Sequence, residues 1–114
     1  MKIVNRKQFI SMSPGTLFIK YKPCIFGPLC EKRETIGDID FWYINLTNSV
    51  DAAGTDEFFK KLTLAEREGS SVDLRFDEIE RDGAFNDDQL FAVYERNDVL
   101  KLIKALDLAL NLGY

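Results

Sequence analysis

Along most of this chain the apolar residues either alternate with polar ones or recur at helical spacing, and each pattern predicts an element. Asn5 is placed to cap a short helix over Arg6–Met12, which Ser13-Pro14-Gly15 would stop. TLFIKYK then alternates Leu17, Ile19 and Tyr21 against Phe18, Lys20 and Lys22, the period of a half-buried strand. PCIFGPLC is broken by Pro23, Gly27 and Pro28, so it reads as a wide loop or a bulged edge strand. CEKRET follows as a strand with one solvated face, and Gly37-Asp38 as a turn. DIDFWYINL sets Ile39, Phe41 and Tyr43 against Trp42, Ile44 and Leu46, and apolar residues on both faces predict a central strand.

Beyond the polar connection TNSVDAAG, Thr55 is positioned to cap a second helix whose first turn carries Asp56 and Glu57. Phe58, Phe59, Leu62 and Ala65 form its expected buried stripe, and Gly69 suits the residue past its end. The last third is the most continuous signal. A strand SVDLRF, with Val72, Leu74 and Phe76 on one face, precedes an acidic turn DEIERDGAFNDD, a strand QLFAVYE and a helix from Asp98 to Leu112. The expectation is that these two strands pair across the turn and that the helix returns over one face of the pair. Residues 1–114 together predict one α+β domain, an antiparallel sheet of about four or five strands with two principal helices on one side.

The last helix carries more apolar surface than one sheet face would cover. Val99, Leu102, Ile103, Leu106, Ala109 and Leu110 make a complete stripe, and Leu100, Leu108 and Leu112 lie outside it. Lys101, Lys104, Asp107 and Asn111 leave only a narrow polar strip. A second cover is therefore expected, either from a long loop of the same chain or, as the leading expectation, from another subunit, with Leu100, Leu108 and Leu112 as the interface of a homo-oligomer, most simply a homodimer.

Charge changes this picture in one respect. A net charge of −4 conceals a basic first third and an acidic middle: residues 1–33 hold seven Lys or Arg and one acid, residues 34–98 seventeen acids and six bases. The two regions can face each other within the fold or across subunits, and an acidic whole has no general attraction for phosphate backbones, so no direct nucleic-acid binding is expected. No apolar run approaches the roughly 18–20 residues needed to cross a bilayer, and MKIVNRKQF has no apolar leader core. The expectation is a cytoplasmic protein without a membrane partner. Cys24 and Cys30, in PCIFGPLC, lack zinc spacing and any histidine to complete a site, and read as buried free thiols.

With no histidine, neither a Ser-His-Asp nor a Cys-His arrangement can be built, and the chain has no phosphate-binding glycine motif. Paired acids such as Glu80 and Asp82, or Asp87 and Asp88, could hold a divalent ion for phosphoryl transfer, but nothing else supports such an enzyme. No catalytic residue, cofactor or metal is expected. Two candidate surfaces remain. Asp77, Glu78, Glu80, Asp82, Asp87 and Asp88 form an acidic run that partly follows a calcium loop, with Gly83 at its sixth place. Gln89 stands where that loop needs a bidentate Glu, so the run reads as a tight bend at Asp82-Gly83 with solvated acids that meet a protein partner. Lys20, Lys22, Trp42, Tyr43 and Arg75 could instead stack a base and hold a phosphate of a small nucleotide-like ligand.

MSPGTLFIKYKPCIFG and RDGAFNDDQLFAVYERNDVLKLI resemble stretches of small accessory proteins encoded by bacteriophages, a loose group mostly without assigned function. The resemblance covers roughly a third of the chain and carries no catalytic motif. It implies a compact protein that binds and blocks a host or antiviral-defence component in the host cytoplasm, or sequesters a small signalling molecule. A non-enzymatic inhibitor is thus the leading expectation, and a nucleotide sponge working between subunits the alternative.

Overall fold

The computed structural model describes Met1–Tyr114 and places six strands in one antiparallel sheet. In chain order the elements are β1 (Lys2–Val4), α1 (Arg6–Ile10), β2 (Leu17–Lys22), β3 (Ile25–Ile36), β4 (Asp40–Asn45), α2 (Thr55–Glu68), β5 (Ile79–Arg81), β6 (Leu90–Val93) and α3 (Arg96–Gly113). The strand order is β1-β6-β2-β3-β4-β5, so the fold is α+β as expected, with a larger sheet. Both edge strands are only three residues long, which limits the unpaired backbone an edge exposes.

The core is a concave aromatic cluster closed by α1. Asn5 accepts from the Gln8 N–H at 2.9 Å while Gln8 Oε1 accepts from the Asn5 N–H at 3.0 Å, a reciprocal cap that lets five residues hold a helical turn. That turn aims Phe9 into the sheet. Its ring stacks on Phe91 at 4.1 Å and meets Phe18 at 4.6 Å and Phe41 at 5.0 Å. Phe18 and Phe41 belong to β2 and β4, which β3 separates, yet their rings lie 5.8 Å apart. The sheet must therefore curl around Phe9. Register shifts between Ile19 and Tyr21, and between Lys32 and Thr35, supply the bend.

Those shifts explain why Ile25–Ile36 is one strand, bulged as one of the two expected readings had it but interior to the sheet and not at its edge. Proline is tolerated inside a sheet only where pairing is irregular, and Pro28 sits opposite the first shift. Cys30 is buried there, and burial pushes its thiol up to about 11, whereas Cys24 is exposed at φ 62° in the turn between β2 and β3. Only one of the two thiols is thus buried.

The last third departs from the expected hairpin. Four antiparallel steps separate β5 from β6, so the two strands run in the same direction and no tight turn can join them. β6 pairs with β1 and β2, and β5 pairs with β4. Val72–Phe76 forms no strand; Leu74 makes a single bridge to Val50. α2 begins at Thr55, so its cap is Gly54, while Gly69 does close it in the left-handed conformation at φ 67°. Phe58, Phe59, Leu62 and Ala65 were expected to be buried, but neither α2 nor α3 contains a buried residue. The aromatic concavity accounts for this: five-residue α1 already fills it, so α3 does not return over a β5–β6 pair.

One core group is out of place. Lys32 is fully buried beside the Phe9 ring, with its Nζ donating to Thr35 Oγ1 at 2.7 Å and the Arg33 carbonyl at 3.3 Å, and with no carboxylate partner. Burial holds its ammonium below the usual lysine range, against a smaller opposing pull from Glu34. A lysine whose pKa is lowered by folding destabilises while charged, and the penalty fades as pH rises toward its unfolded value. Lys32→Met should therefore raise the melting temperature at pH 7, with a gain that shrinks in alkaline buffer; a loss at both pH values would show that the Thr35 bond outweighs the desolvation. Phe9→Ala should cost about 3–5 kcal/mol in urea unfolding. Phe59→Ala, on a ring 61 % exposed, should stay within about 0.5 kcal/mol.

Candidate partner-binding cleft

Two buried carboxylates collect the charges at one end of the concave face. Arg6, on the first turn of α1, donates from Nη1 to Asp82 Oδ2 at 3.0 Å and from Nη2 to the Ile39 carbonyl at 2.8 Å. Lys20, on β2, reaches the other Asp82 oxygen at 2.5 Å. Asp40, at the start of β4, accepts from Arg81 Nε at 2.6 Å and from the backbone N–H groups of Phe41 at 2.9 Å and Gly83 at 3.1 Å. The Asp40 and Asp82 side chains are 0 % and 1 % exposed, so these bonds replace water entirely. Burial alone would push the Asp40 carboxyl up; Arg81 and the two N–H groups outweigh it and hold it below the usual carboxylate range.

Above this network lies an open cleft of about 1010 Å³ between α1, the β3–β4 turn and the 83–88 loop. Arg6, Lys7, Ile10, Ile39, Phe85 and Asp87 are among its lining residues. Ile39 is 62 % and Phe85 50 % exposed, two large apolar side chains on a polar rim. Phe85 is held at φ 51°, a conformation that costs a non-glycine residue on the order of 1 kcal/mol. Asp88 N–H donates to Asn86 Oδ1 at 3.0 Å and fixes the turn that follows it. Asp38, Asp87 and Asp88 form no ion pair, although they flank the cleft or its loop.

The acidic run is divided by the fold. Asp82, expected to form a tight bend with Gly83 and to meet a partner, has an interior side chain, and both its oxygens are taken by Arg6 and Lys20. Asp77 pairs with Arg75 at 2.7 Å, which holds its carboxyl low. Glu78 and Glu80 are exposed beside the start of α2, and Asp87 and Asp88 lie on the cleft loop. The aromatic and cationic group is divided as well. Lys20 stands over the Tyr43 ring at 5.7 Å, and burial, with Glu80 beside it, raises the Tyr43 phenol far above its usual value. Trp42 is the residue before Tyr43 on β4 and faces the opposite side of the sheet. Lys22 ends β2 in solvent, and Arg75 lies outside the sheet, paired to Asp77 and Asp51. These five side chains build no single stacking pocket. Leu100, Leu108 and Leu112 are 49 %, 56 % and 79 % exposed. Arg6, Asp40, Ile39 and Phe85 were not expected at a site; an apolar Phe85 inside an otherwise polar turn was the one local signal.

Removing one partner of a buried ion pair leaves an uncompensated charge, so Asp82→Asn should cost about 3–5 kcal/mol at pH 7. Asp40 adds a pH signature. Because its folded pKa lies below the ordinary value of 3.8, its contribution is complete above that value and is lost as pH falls through the folded one. The wild-type melting temperature should drop steeply below about pH 4, and the slope should flatten in Asp40→Asn. Parallel slopes for the two proteins would place the acid sensitivity elsewhere.

None of the protein-family models, curated proteins or solved structures compared with this chain matches it, so what the cleft does rests on its own geometry.

Proposed function

We propose that this is a non-enzymatic binding protein that blocks a basic surface on another protein, with the cleft as its working face. One observation carries the reading: Ile39 and Phe85 stand exposed on the lips of a cleft whose own buried charges are neutralised, and the unpaired acids Asp38 and Asp87 line it, with Asp88 next on the same loop, against one unpaired base, Lys7. A large apolar anchor inside a charged rim is the usual anatomy of a protein–protein contact, in which the anchor supplies affinity and the rim supplies orientation and encounter rate. The partner such a rim fits is basic, as a nucleic-acid-binding groove is. The resemblance to bacteriophage accessory proteins makes a host or antiviral-defence component the expected owner of that groove.

The groups that acid–base chemistry would recruit are committed elsewhere. Asp40, Asp82 and Arg6 satisfy one another in the interior, where a substrate would have to displace an ion pair to reach them. The nucleotide-sponge alternative loses support because Trp42 and Tyr43 face opposite sides of the sheet.

The test is capture from host lysate with wild type, Phe85→Ala, and Asp87→Lys combined with Asp88→Lys. A basic protein should be retained by the wild type and lost with rising salt. Phe85→Ala should weaken its binding by about 2 kcal/mol, roughly thirtyfold. The double charge reversal should slow association. A captured protein indifferent to all three changes would move the working face away from the cleft. A nucleotide released on denaturation would favour the sponge.

A further inference from the structure

We propose that α3 is the seam of an antiparallel homodimer, its apolar stripe covered by the α3 of a second copy. The protomer exposes too much surface to be complete. A folded monomer of 13.1 kDa should present about 6,400 Å², whereas this one presents 8206 Å². The excess of about 1,800 Å² is what one partner buries in an obligate dimer, whose interface totals roughly 2,000–5,000 Å² over both sides. Only 14 of 114 residues are buried, and α3 supplies more exposed large apolar side chains than any other element. Ile103 is 57 %, Leu106 61 % and Leu110 61 % exposed. These residues share one helix face, so the patch is continuous along the axis.

The stripe is complementary to itself. A two-fold axis through Leu106 sets Leu102 against the partner's Leu110, Ile103 against the partner's Ala109 and Val99 against the partner's Gly113, matching large residues with large ones at the centre and with small ones where backbones must close. Lys101, Lys104, Asp107 and Asn111 stand on the other side of the helix, so no charge enters the seam, and antiparallel macrodipoles oppose each other favourably. The seam follows the stripe and leaves Leu100, Leu108 and Leu112 beside the polar strip. A second copy is the occupant, because a surface this apolar must be covered from synthesis onward, and only the protein itself is always present in equal amount. The proposal does not depend on the cleft, with which α3 shares no residue.

Light scattering coupled to size exclusion at tens of micromolar should return twice the 13.1 kDa protomer mass, and Leu106→Glu should halve it while keeping the circular-dichroism spectrum of the fold. In a Cys24→Ser background, Leu106→Cys should form a reducible dimer on oxidation and Leu108→Cys should not. That pair decides the matter if the glutamate variant unfolds. A wild type of single mass, a Leu106→Glu dimer of unchanged mass, or cross-linking at position 108 alone would overturn the antiparallel seam. A fixed complex with a different protein at α3 would overturn the choice of occupant. The fate of the cleft is read separately, since Phe85→Ala should leave the mass unchanged.

Discussion

The Asp82 carboxylate, lodged between Arg6 and Lys20, ties together parts of the chain that no local pattern joins. It connects the helical turn after β1, the middle of β2 and the exit of β5 at one buried point. Its own backbone N–H returns to the Phe41 carbonyl at 3.1 Å, and the next residue, Gly83, donates to Asp40. Chain leaving β5 is thereby turned across the concave side toward β6, four strands away. Without that anchor an acidic segment would have every electrostatic reason to stay in solvent. With it, Arg6 and Lys20 from the basic first third meet Asp82 from the acidic middle inside one chain. A buried network of this kind contributes less to net stability than to uniqueness, because each wrong arrangement strands a charge.

What could be read from the residues was local. Asn5 announced α1, alternation announced β2, and apolar residues on both faces announced β4 as a central strand, which it is. Alternation cannot say which strand lies beside which. SVDLRF and QLFAVYE read as hairpin partners because they are near in sequence, and that nearness is overridden by β1, a three-residue strand too short to show periodicity, and by β2, which takes the other side of β6. The break at Gly27-Pro28 left a wide loop and a bulged edge strand equally open; the strand is bulged, but it lies inside the sheet and not at its edge. A bulge restores pairing on either side of a proline, and a bulge has no signature in one sequence.

The candidate sites were less legible, and the cause is geometric. Lys20, Lys22, Trp42, Tyr43 and Arg75 were grouped by residue type, but side chains of neighbouring strand residues point to opposite faces, so Trp42 and Tyr43 cannot line one pocket. The acidic run was grouped by proximity in the chain, and the fold sends Asp82 inward while leaving Asp87 and Asp88 on the surface. Desolvation of a carboxylate is so costly that exposure is the default reading, and only partners distant in sequence, here Arg6 and Lys20, reverse it.

Charge inside and leucine outside have one origin in this molecule. The central cluster on the concave sheet holds eight buried residues, Phe9 and Ile10 of α1 among them, and five-residue α1 is enough to close it. No apolar concavity of that kind remains to receive the stripes of α2 and α3, although each stripe has the spacing of a buried face. Roughly 1.5–3 kcal/mol is forgone for each large apolar side chain left wholly in water that could be fully buried, so several half-exposed leucines together forgo an amount comparable with the stability of a small domain. The fold therefore presents two unlike surfaces, an apolar one along α3 and a charged one around the cleft, and no residue of α3 lines that cleft.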